Sequence, residues 1–371
     1  MFETLKQYGL SDIHLVNDEA CGLQAIIAIH DTSLGPAIGG CRYLHYNSTQ
    51  DALEDAARLA QGMSYKAALA GLPFGGGKAV ILKPNTDHDR ALLFAKMGAF
   101  IASLQGRYIT ALDSGSTLHD MDIIAAHTTY VSSSSEIGDC SLFTAAGIYS
   151  GIKEAFKVRF ASDTVKQARI AIQGLGHVGM ALAEHLYRAG ATLIVSDLDA
   201  TKTEYACQRF NAKVVASDAI CQQACEILSP CGLGGIINAA SVPHLRCAII
   251  AGAANNQLAK DSDEELLRDR GILYVPDFAI NAGGLIYAAM RFAGDEQALI
   301  DEKLRAIPIT IHTLLDSAKG QAQTPLQSAV SLARQRIAAG HNSLRAKTKA
   351  DRANSDRPPA PLTAQDVHLA R

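Results

Sequence analysis

Apolar residues recur along this chain with two different periods, and the changes of period mark out its elements. Leu23-Gln24-Ala25-Ile26-Ile27-Ala28-Ile29-His30 alternates in strand fashion and runs into the turn-rich Asp31-Thr32-Ser33-Leu34-Gly35-Pro36. Ser48 and Asp51 are spaced like a capping box, and behind them Leu53, Ala56, Ala57, Ala60 and Met63 recur at helical intervals toward Lys66. A glycine cluster, Gly71 and Gly75-Gly76-Gly77, separates that helix from Lys78 and a strand, Ala79-Val80-Ile81-Leu82. Residues 90–104 predict another helix, and Tyr108-Ile109-Thr110-Ala111 a short strand leading to Asp113.

A polar stretch at 132–141 breaks the pattern and is the candidate interdomain hinge. Beyond it a helix (about 144–157), a strand (168–173), a helix (178–188) and a strand (192–197) alternate, which predicts a parallel sheet. Helical periodicity returns between about 298 and 338. From about Arg345 the chain is rich in Arg, Lys, Asp and Pro, including Pro358-Pro359-Ala360-Pro361, and residues 345–371 are expected to be a mobile tail.

Composition narrows the class. A chain of 371 residues is too long for one ordinary hydrophobic core, so two domains are expected. With 48% hydrophobic and 19% charged residues it is globular rather than disordered. A formal net charge of -3 offers no basic field for nucleic acid or an anionic membrane. No apolar run is as long as a membrane span, and Met1-Phe2-Glu3-Thr4-Leu5-Lys6 lacks a signal-peptide pattern. The eight cysteines form no CxxC pair; Cys221 and Cys225 lie one turn apart but have no third ligand grouped with them. They read as buried free thiols in a reducing cytoplasm, with no metal site.

Gln173-Gly174-Leu175-Gly176-His177-Val178-Gly179 has glycines at GxGxxG spacing. The spacing alone is a weak signal, but a buried-strand run precedes it, a helical run follows it, and a second strand ends at Asp197 about 20 residues on, as a dinucleotide site requires. Gly174 makes the tight turn, Gly176 admits the pyrophosphate and Gly179 lets helix and strand pack closely. Asp197 is placed to accept from an adenosine ribose diol and to repel a 2′-phosphate, which favours NAD; the nearby Lys202 softens that preference.

Gly75-Gly76-Gly77-Lys78 invites a phosphate-loop reading that spacing rejects, because Leu72 and Ala79 stand where Gly and Ser or Thr are needed. Small residues before a lysine at a strand entrance instead let a substrate or another stretch of backbone approach. Lys66 and Lys78 both sit in apolar sequence. Either alone reads as a snorkelling surface cation; together beside the glycines they read as a buried pair. Burial and like charge lower a lysine pKa, so one amine can hold a carboxylate while the other serves as a base. Asp113, in Ala111-Leu112-Asp113-Ser114-Gly115, is either a turn aspartate or the third member of the group.

Gly39-Gly40-Cys41-Arg42-Tyr43, Gly62-Met63-Ser64-Tyr65-Lys66, Phe74-Gly75-Gly76-Gly77-Lys78 and Pro276-Asp277-Phe278-Ala279-Ile280-Asn281-Ala282-Gly283-Gly284 carry a resemblance that spans roughly residues 10 to 340. In them the chain resembles the Glu/Leu/Phe/Val dehydrogenase family, nearest its leucine-specific branch. The resemblance implies an α/β fold of two domains: an α/β substrate-binding and oligomerisation domain at 1–138 and a Rossmann-type NAD-binding domain at 139–324, with a cleft between them. Helices at about 325–344 would return to the first domain. It implies that Lys66, helped by the backbone at Gly39 and Gly40, binds the substrate carboxylate, that Lys78 is the base acting on water, and that Asp113 moves protons at the amine. Asn281 would position substrate and nicotinamide, with Thr144 near the nicotinamide amide. Pro230-Cys231-Gly232 and Ala254-Asn255-Asn256-Gln257-Leu258 would line the cofactor site, and Ile38, Met63 and Ala111 the substrate pocket. A homo-oligomer, often an octamer, is implied, with no nucleic-acid or membrane partner.

The expected reaction is NAD-dependent oxidative deamination of leucine, valine or isoleucine. Phenylalanine is the alternative substrate, and a 2-hydroxy-acid dehydrogenase or a non-catalytic NAD-binding regulator are the rival functions. Three departures from the family pattern stand out, one of them Pro325-Leu326-Gln327-Ser328-Ala329-Val330 in place of an alanine-aspartate segment. Gly138-Asp139-Cys140-Ser141-Leu142-Phe143-Thr144-Ala145 lacks both prolines of the family's hinge, which is expected to loosen domain closure, and Tyr287-Ala288-Ala289-Met290-Arg291 lacks an acid usual there.

Overall fold

The computed structural model describes residues 1–319 and 323–355, and of 343–355 the backbone only. The first part of the chain runs α1 (Phe2–Tyr8), β1 (Asp12–Asp18), β2 (Leu23–Asp31), β3 (Ala37–Leu44), α2 (Thr49–Leu69), β4 (Gly75–Leu82), α3 (Arg90–Ser103), β5 (Tyr108–Leu112) and α4 (Leu118–Ala125). Its five strands form one sheet in the order β1-β2-β4-β3-β5. β1, β2 and β4 are successively antiparallel, while β3 runs parallel to both β4 and β5.

Both faces of this sheet are covered, so β2 is buried without a break from Ala25 to Ile29 rather than alternating as its sequence suggested. One face packs Ile26, Ala28 and Val80 against the small residues Ala52, Ala56, Ala57 and Ala60 of α2. The other packs Ile27, Ala79 and Tyr108 against Phe94, Met97 and Ile101 of α3. At the start of α2 the Ser48 hydroxyl accepts from the Asp51 amide, as a cap should.

The second part runs α5 (Ser141–Phe160), β6 (Arg169–Gln173), α6 (His177–Arg188), β7 (Thr192–Ser196), α7 (Ala200–Phe210), β8 (Lys213–Val214), β9 (Ile227–Pro230), β10 (Ile249–Ile250), α8 (Asp263–Asp269), β11 (Leu273–Tyr274), α9 (Asp277–Ile280), α10 (Gly283–Ala293), α11 (Gln297–Lys319) and α12 (Pro325–Ser355). Its six strands pair in parallel in the order β11-β10-β9-β6-β7-β8. The first strand of the unit therefore lies at the centre, and the chain winds outward both ways. That is the Rossmann order, whose crevice opens at the carboxyl ends of β6 and β9.

Three features depart from the sequence reading. α5 begins at Ser141 rather than about 144, where the Asp139 carboxylate accepts from the Ser141 N–H at 2.8 Å. β3 escaped detection because glycines disfavour strands; here Gly39 is required by a close approach of β4 and Gly40 by the end of β5. α12 continues as helix through Ser355, past the point where the tail was expected to start, and residues 356–371 lie outside the described residues. The first half of α12 buries Ala329, Ala333 and Ile337. Its Arg336 Nη1 donates to the carbonyls of Ala68 (2.9 Å) and Leu69 (2.8 Å) at the end of α2. Among the described residues no helix is long and apolar enough to cross a membrane.

Candidate active site

β4 and the last turns of α2 carry the two lysines into one place. Gly76 makes this possible: a Cβ there would lie 2.0 Å from the Ser64 amide nitrogen, so only glycine lets α2 pack so close to the strand. Gly39 is constrained likewise, since its Cβ would lie 1.8 Å from the Gly77 carbonyl oxygen. At Gly40 the obstacle is the Asp113 Cβ, 2.6 Å away. The glycines thus serve backbone approach, and the approach assembles the site.

Lys66, Lys78 and Asp113 share a cavity of about 290 Å³ with Gly39, Gly40, Met63, Ala111, Leu112, Thr144, Val178, Asn255 and Asn281. Its walls come from both sheets: β3, β5 and α2 on one side, and α5, α6 and α10 on the other. Lys66 and Lys78 are 8% and 4% exposed, so neither is a surface cation. Lys66 Nζ donates to Asn255 Oδ1 at 3.2 Å, and the same oxygen accepts from Asn281 Nδ2 at 3.0 Å. Asn281 Nδ2 also donates to the Ala253 carbonyl at 2.9 Å, while its Oδ1 has no hydrogen-bond partner among the described residues. That leaves a buried acceptor beside the cavity.

Lys78 Nζ forms an ion pair with Asp113, and Arg42 Nε lies 3.4 Å from the same carboxylate oxygen. Burial alone would raise the Asp113 carboxyl; the Lys78 ammonium and the Arg42 guanidinium outweigh it and hold the group at about 2. Burial lowers Lys66 to about 8 against the pull of Asp277, with Lys78 adding to the fall and Asp113 resisting it. The sequence reading expected two lysines sharing a dry pocket, one kept charged and the other lowered. The structure buries both, seats Lys78 against a carboxylate, and lowers Lys66 chiefly by desolvation.

The glycine loop stands at the carboxyl end of β6. Gly174 has φ 93° and packs against Gly232, and a Cβ on Gly179 would lie 2.1 Å from the Gly174 carbonyl oxygen. Gly176 caps α6 with nothing within 4 Å of where its Cβ would be, so space for a phosphate lies over the helix N-terminus. Asp197 ends β7 and accepts from the Leu175 N–H at 2.6 Å, which fixes the loop beside the acid. Cys231 follows β9, and its N–H donates to the Gln173 carbonyl at 2.7 Å. These residues fit a dinucleotide. His177 at the start of α6 is exposed, with Nδ1 3.6 Å from Asp139 of the linker. Lys202 is 3.7 Å from Asp199, so a carboxylate partner is close at hand for the cation thought to soften the choice of cofactor.

Ile38 does not line the cavity. It is fully buried in the core with Tyr65 and Ile109, while Gly39 and Gly40, which follow it in β3, border the cavity. Leu112, Leu285 and Ala288 share the apolar wall instead. Sequence reasoning also gave no role to Arg42 or Asp277, although both lie inside quoted motifs. The available signal was a charged residue set within an otherwise apolar or glycine-rich run, as for the lysines. Among the described residues no group of three or more His, Cys, Asp or Glu is placed to hold a metal, and all eight cysteines are free, Cys207 being exposed.

Comparison with known proteins agrees with this architecture. The Glu/Leu/Phe/Val dehydrogenase dimerisation domain matches residues 11–130, and the Glutamate/Leucine/Phenylalanine/Valine dehydrogenase domain matches residues 198–344. Leucine dehydrogenase of Geobacillus stearothermophilus is 42% identical over 342 residues, 91% of this chain and 93% of that one. Valine dehydrogenase of Streptomyces coelicolor is 40% identical over 340 residues, 90% and 93% of the two chains. The crystal structure of L-tryptophan dehydrogenase from Nostoc punctiforme superposes with a TM-score of 0.78 at 39% identity, covering 92% of this chain and all of that one. The chain belongs to the Glu/Leu/Phe/Val dehydrogenase family and is an amino-acid dehydrogenase that works with a nicotinamide cofactor.

Proposed function

We propose that the enzyme catalyses reversible, NAD-dependent oxidative deamination of branched-chain aliphatic L-amino acids to 2-oxo acids and ammonia. The observation that carries the substrate class is the cavity lining: among the described residues its only cations are Lys66 and Lys78, and Met63, Ala111, Leu112, Leu285 and Ala288 supply an apolar wall. A glutamate side chain would find no third cation there, whereas an aliphatic one is accommodated.

In this reading Lys66 and the backbone at Gly39 and Gly40 hold the substrate carboxylate, and the pair with Asn255 keeps the ammonium aimed. Nicotinamide supplies the hydride acceptor when bound. Lys78, once its own proton has passed to Asp113, takes the proton of the water that adds to the imino acid, and Asp113 gives the proton it received to the departing amine. Thr144 and the free Oδ1 of Asn281 orient the reactants. Most of the rate enhancement comes from positioning and a desolvated, charged site.

NAD is favoured over NADP by Asp197, whose carboxylate opposes a 2′-phosphate. The match of the first domain to a dimerisation domain supports a homo-oligomer, and eight free thiols suit a reducing cytoplasm.

Steady-state oxidation of a panel of L-amino acids tests the reading. Leucine, valine and isoleucine should have the highest kcat/KM and differ by no more than about 200-fold, since a methylene is worth about 1–3 kcal/mol. A far higher kcat/KM for phenylalanine, tryptophan or glutamate overturns the substrate class. Replacing Lys78 by Ala should remove turnover while dinucleotide binding persists; retained turnover overturns its role.

A further inference from the structure

The chain crosses from the first sheet to the second between residues 134 and 141, and this joint is anchored at both ends. On the near side the Ser135 N–H donates to Asp122 Oδ1 of α4 at 2.8 Å and its hydroxyl donates to Oδ2, bonds that hold the Asp122 carboxyl below its ordinary range. On the far side Tyr287 of α10 makes two contacts. Its hydroxyl donates to the Ile137 carbonyl at 2.9 Å, and its ring stacks on Phe143 with centroids 3.9 Å apart and planes at 11°. Gly138 lies between these grips with φ 86° and nothing within 4 Å of where a Cβ would stand. A side chain would fit there, so the glycine is needed for its backbone conformation alone.

Neither Tyr287 nor Phe143 lines the cavity, but their neighbours do: Asp139, Cys140, Ser141 and Thr144 on the linker side, and Gly284, Leu285 and Ala288 on α10. The fit between these two walls is tight, since a Cβ on Gly284 would lie 2.4 Å from Thr144 Oγ1. A ring that grips Ile137 and Phe143 together therefore sets where the linker wall stands.

We propose that Tyr287 is a positioning residue for the dehydrogenase reaction, clamping the linker on both sides of Gly138 so that the cavity is held near its working width. A simple packing role for the aromatic pair would affect stability alone. The clamp makes a different demand. Without it the arrangement that binds both reactants is populated less, and apparent affinities fall by that fraction while the filled site reacts as before.

The proposal rests on the cavity being the reaction site, which the Lys78→Ala variant tests separately through turnover. For Tyr287→Leu the KM for amino acid and for dinucleotide should rise together by about fivefold, with kcat within about twofold of the parent. Tyr287→Phe, which keeps the stack and loses the bond to Ile137, should fall between, and serves as the test variant if the leucine substitution does not fold. Phe143→Leu should reproduce Tyr287→Leu, and the double variant should be no worse than either, because both remove one clamp. Unchanged KM values in the substituted enzymes, whatever happens to Tm or kcat, overturn the proposal. So do effects of the two substitutions that multiply.

Discussion

At Lys66 desolvation outweighs attraction, and that balance has a pH signature. Its folded value of about 8 lies below the ordinary lysine range, so the unfolded chain binds the extra proton more tightly. The cost of burying this ammonium is therefore fully present below that pH and is relieved as pH climbs toward the unfolded value. Ligand binding runs the other way, because the proposed role needs the charge. The Kd of a 2-oxo acid, which has no titrating amine, should be flat at low pH and rise about tenfold per pH unit above the Lys66 value. Lys66→Arg, which does not deprotonate in this range, should flatten that profile. A wild-type Kd independent of pH up to about 10 would count against the lowered Lys66 value, since an unperturbed lysine titrates only there. The lysines were legible as residues because a cation in an apolar run is unusual. Their partners were not: Arg42 and Asp277 look like ordinary charges until β3 and α9 bring them to the site.

At the level of elements, glycines with the same local look do opposite jobs. Gly76 and Gly179 leave no room for a methyl, with backbone atoms 2.0 and 2.1 Å from the position of a Cβ, whereas nothing lies within 4 Å of that position at Gly176. Gly76→Ala should thus push α2 off β4 and cost about 3 kcal/mol or more, visible as a marked fall in Tm together with lost activity. Gly176→Ala should leave Tm within about 2 °C while raising the KM for dinucleotide about tenfold or more. Equal Tm losses for the two would show that Gly176 is structural as well. GxGxxG spacing between a strand and a helix made this loop readable in advance, but nothing in the run Gly75-Gly76-Gly77 told that Gly76 faces the backbone of α2. β3 was missed for a related reason: strand propensity penalises Gly39 and Gly40, and the contact that requires them comes from another strand.

Over the whole molecule, α12 comes back across the first sheet and grips the end of the helix that carries Lys66. Arg336 donates to two carbonyls at the end of α2, Tyr65 receives a bond from Arg334 Nε at 3.2 Å, and His341 Nε2 lies 2.8 Å from Asp31 of β2. Arg336→Ala should lower stability by about 2 kcal/mol, the worth of hydrogen bonds from a charged donor. It should also raise the KM for amino acid, because the last turn of α2 bears Lys66; a lower Tm with unchanged KM would confine the strap to stability. By itself the sequence determined most of the central elements though not β3, the dinucleotide loop, the family and the identity of the two lysines, since each is encoded in spacing along the chain or in the company a residue keeps locally. Only the tertiary structure decided that Lys78 meets Asp113, that Lys66 meets Asn255 from a loop 189 positions away, that Ile38 turns into the core and that Tyr287 holds the linker. Charge balance and reach depend on distances across the fold, and periodicity along one segment carries no measure of them.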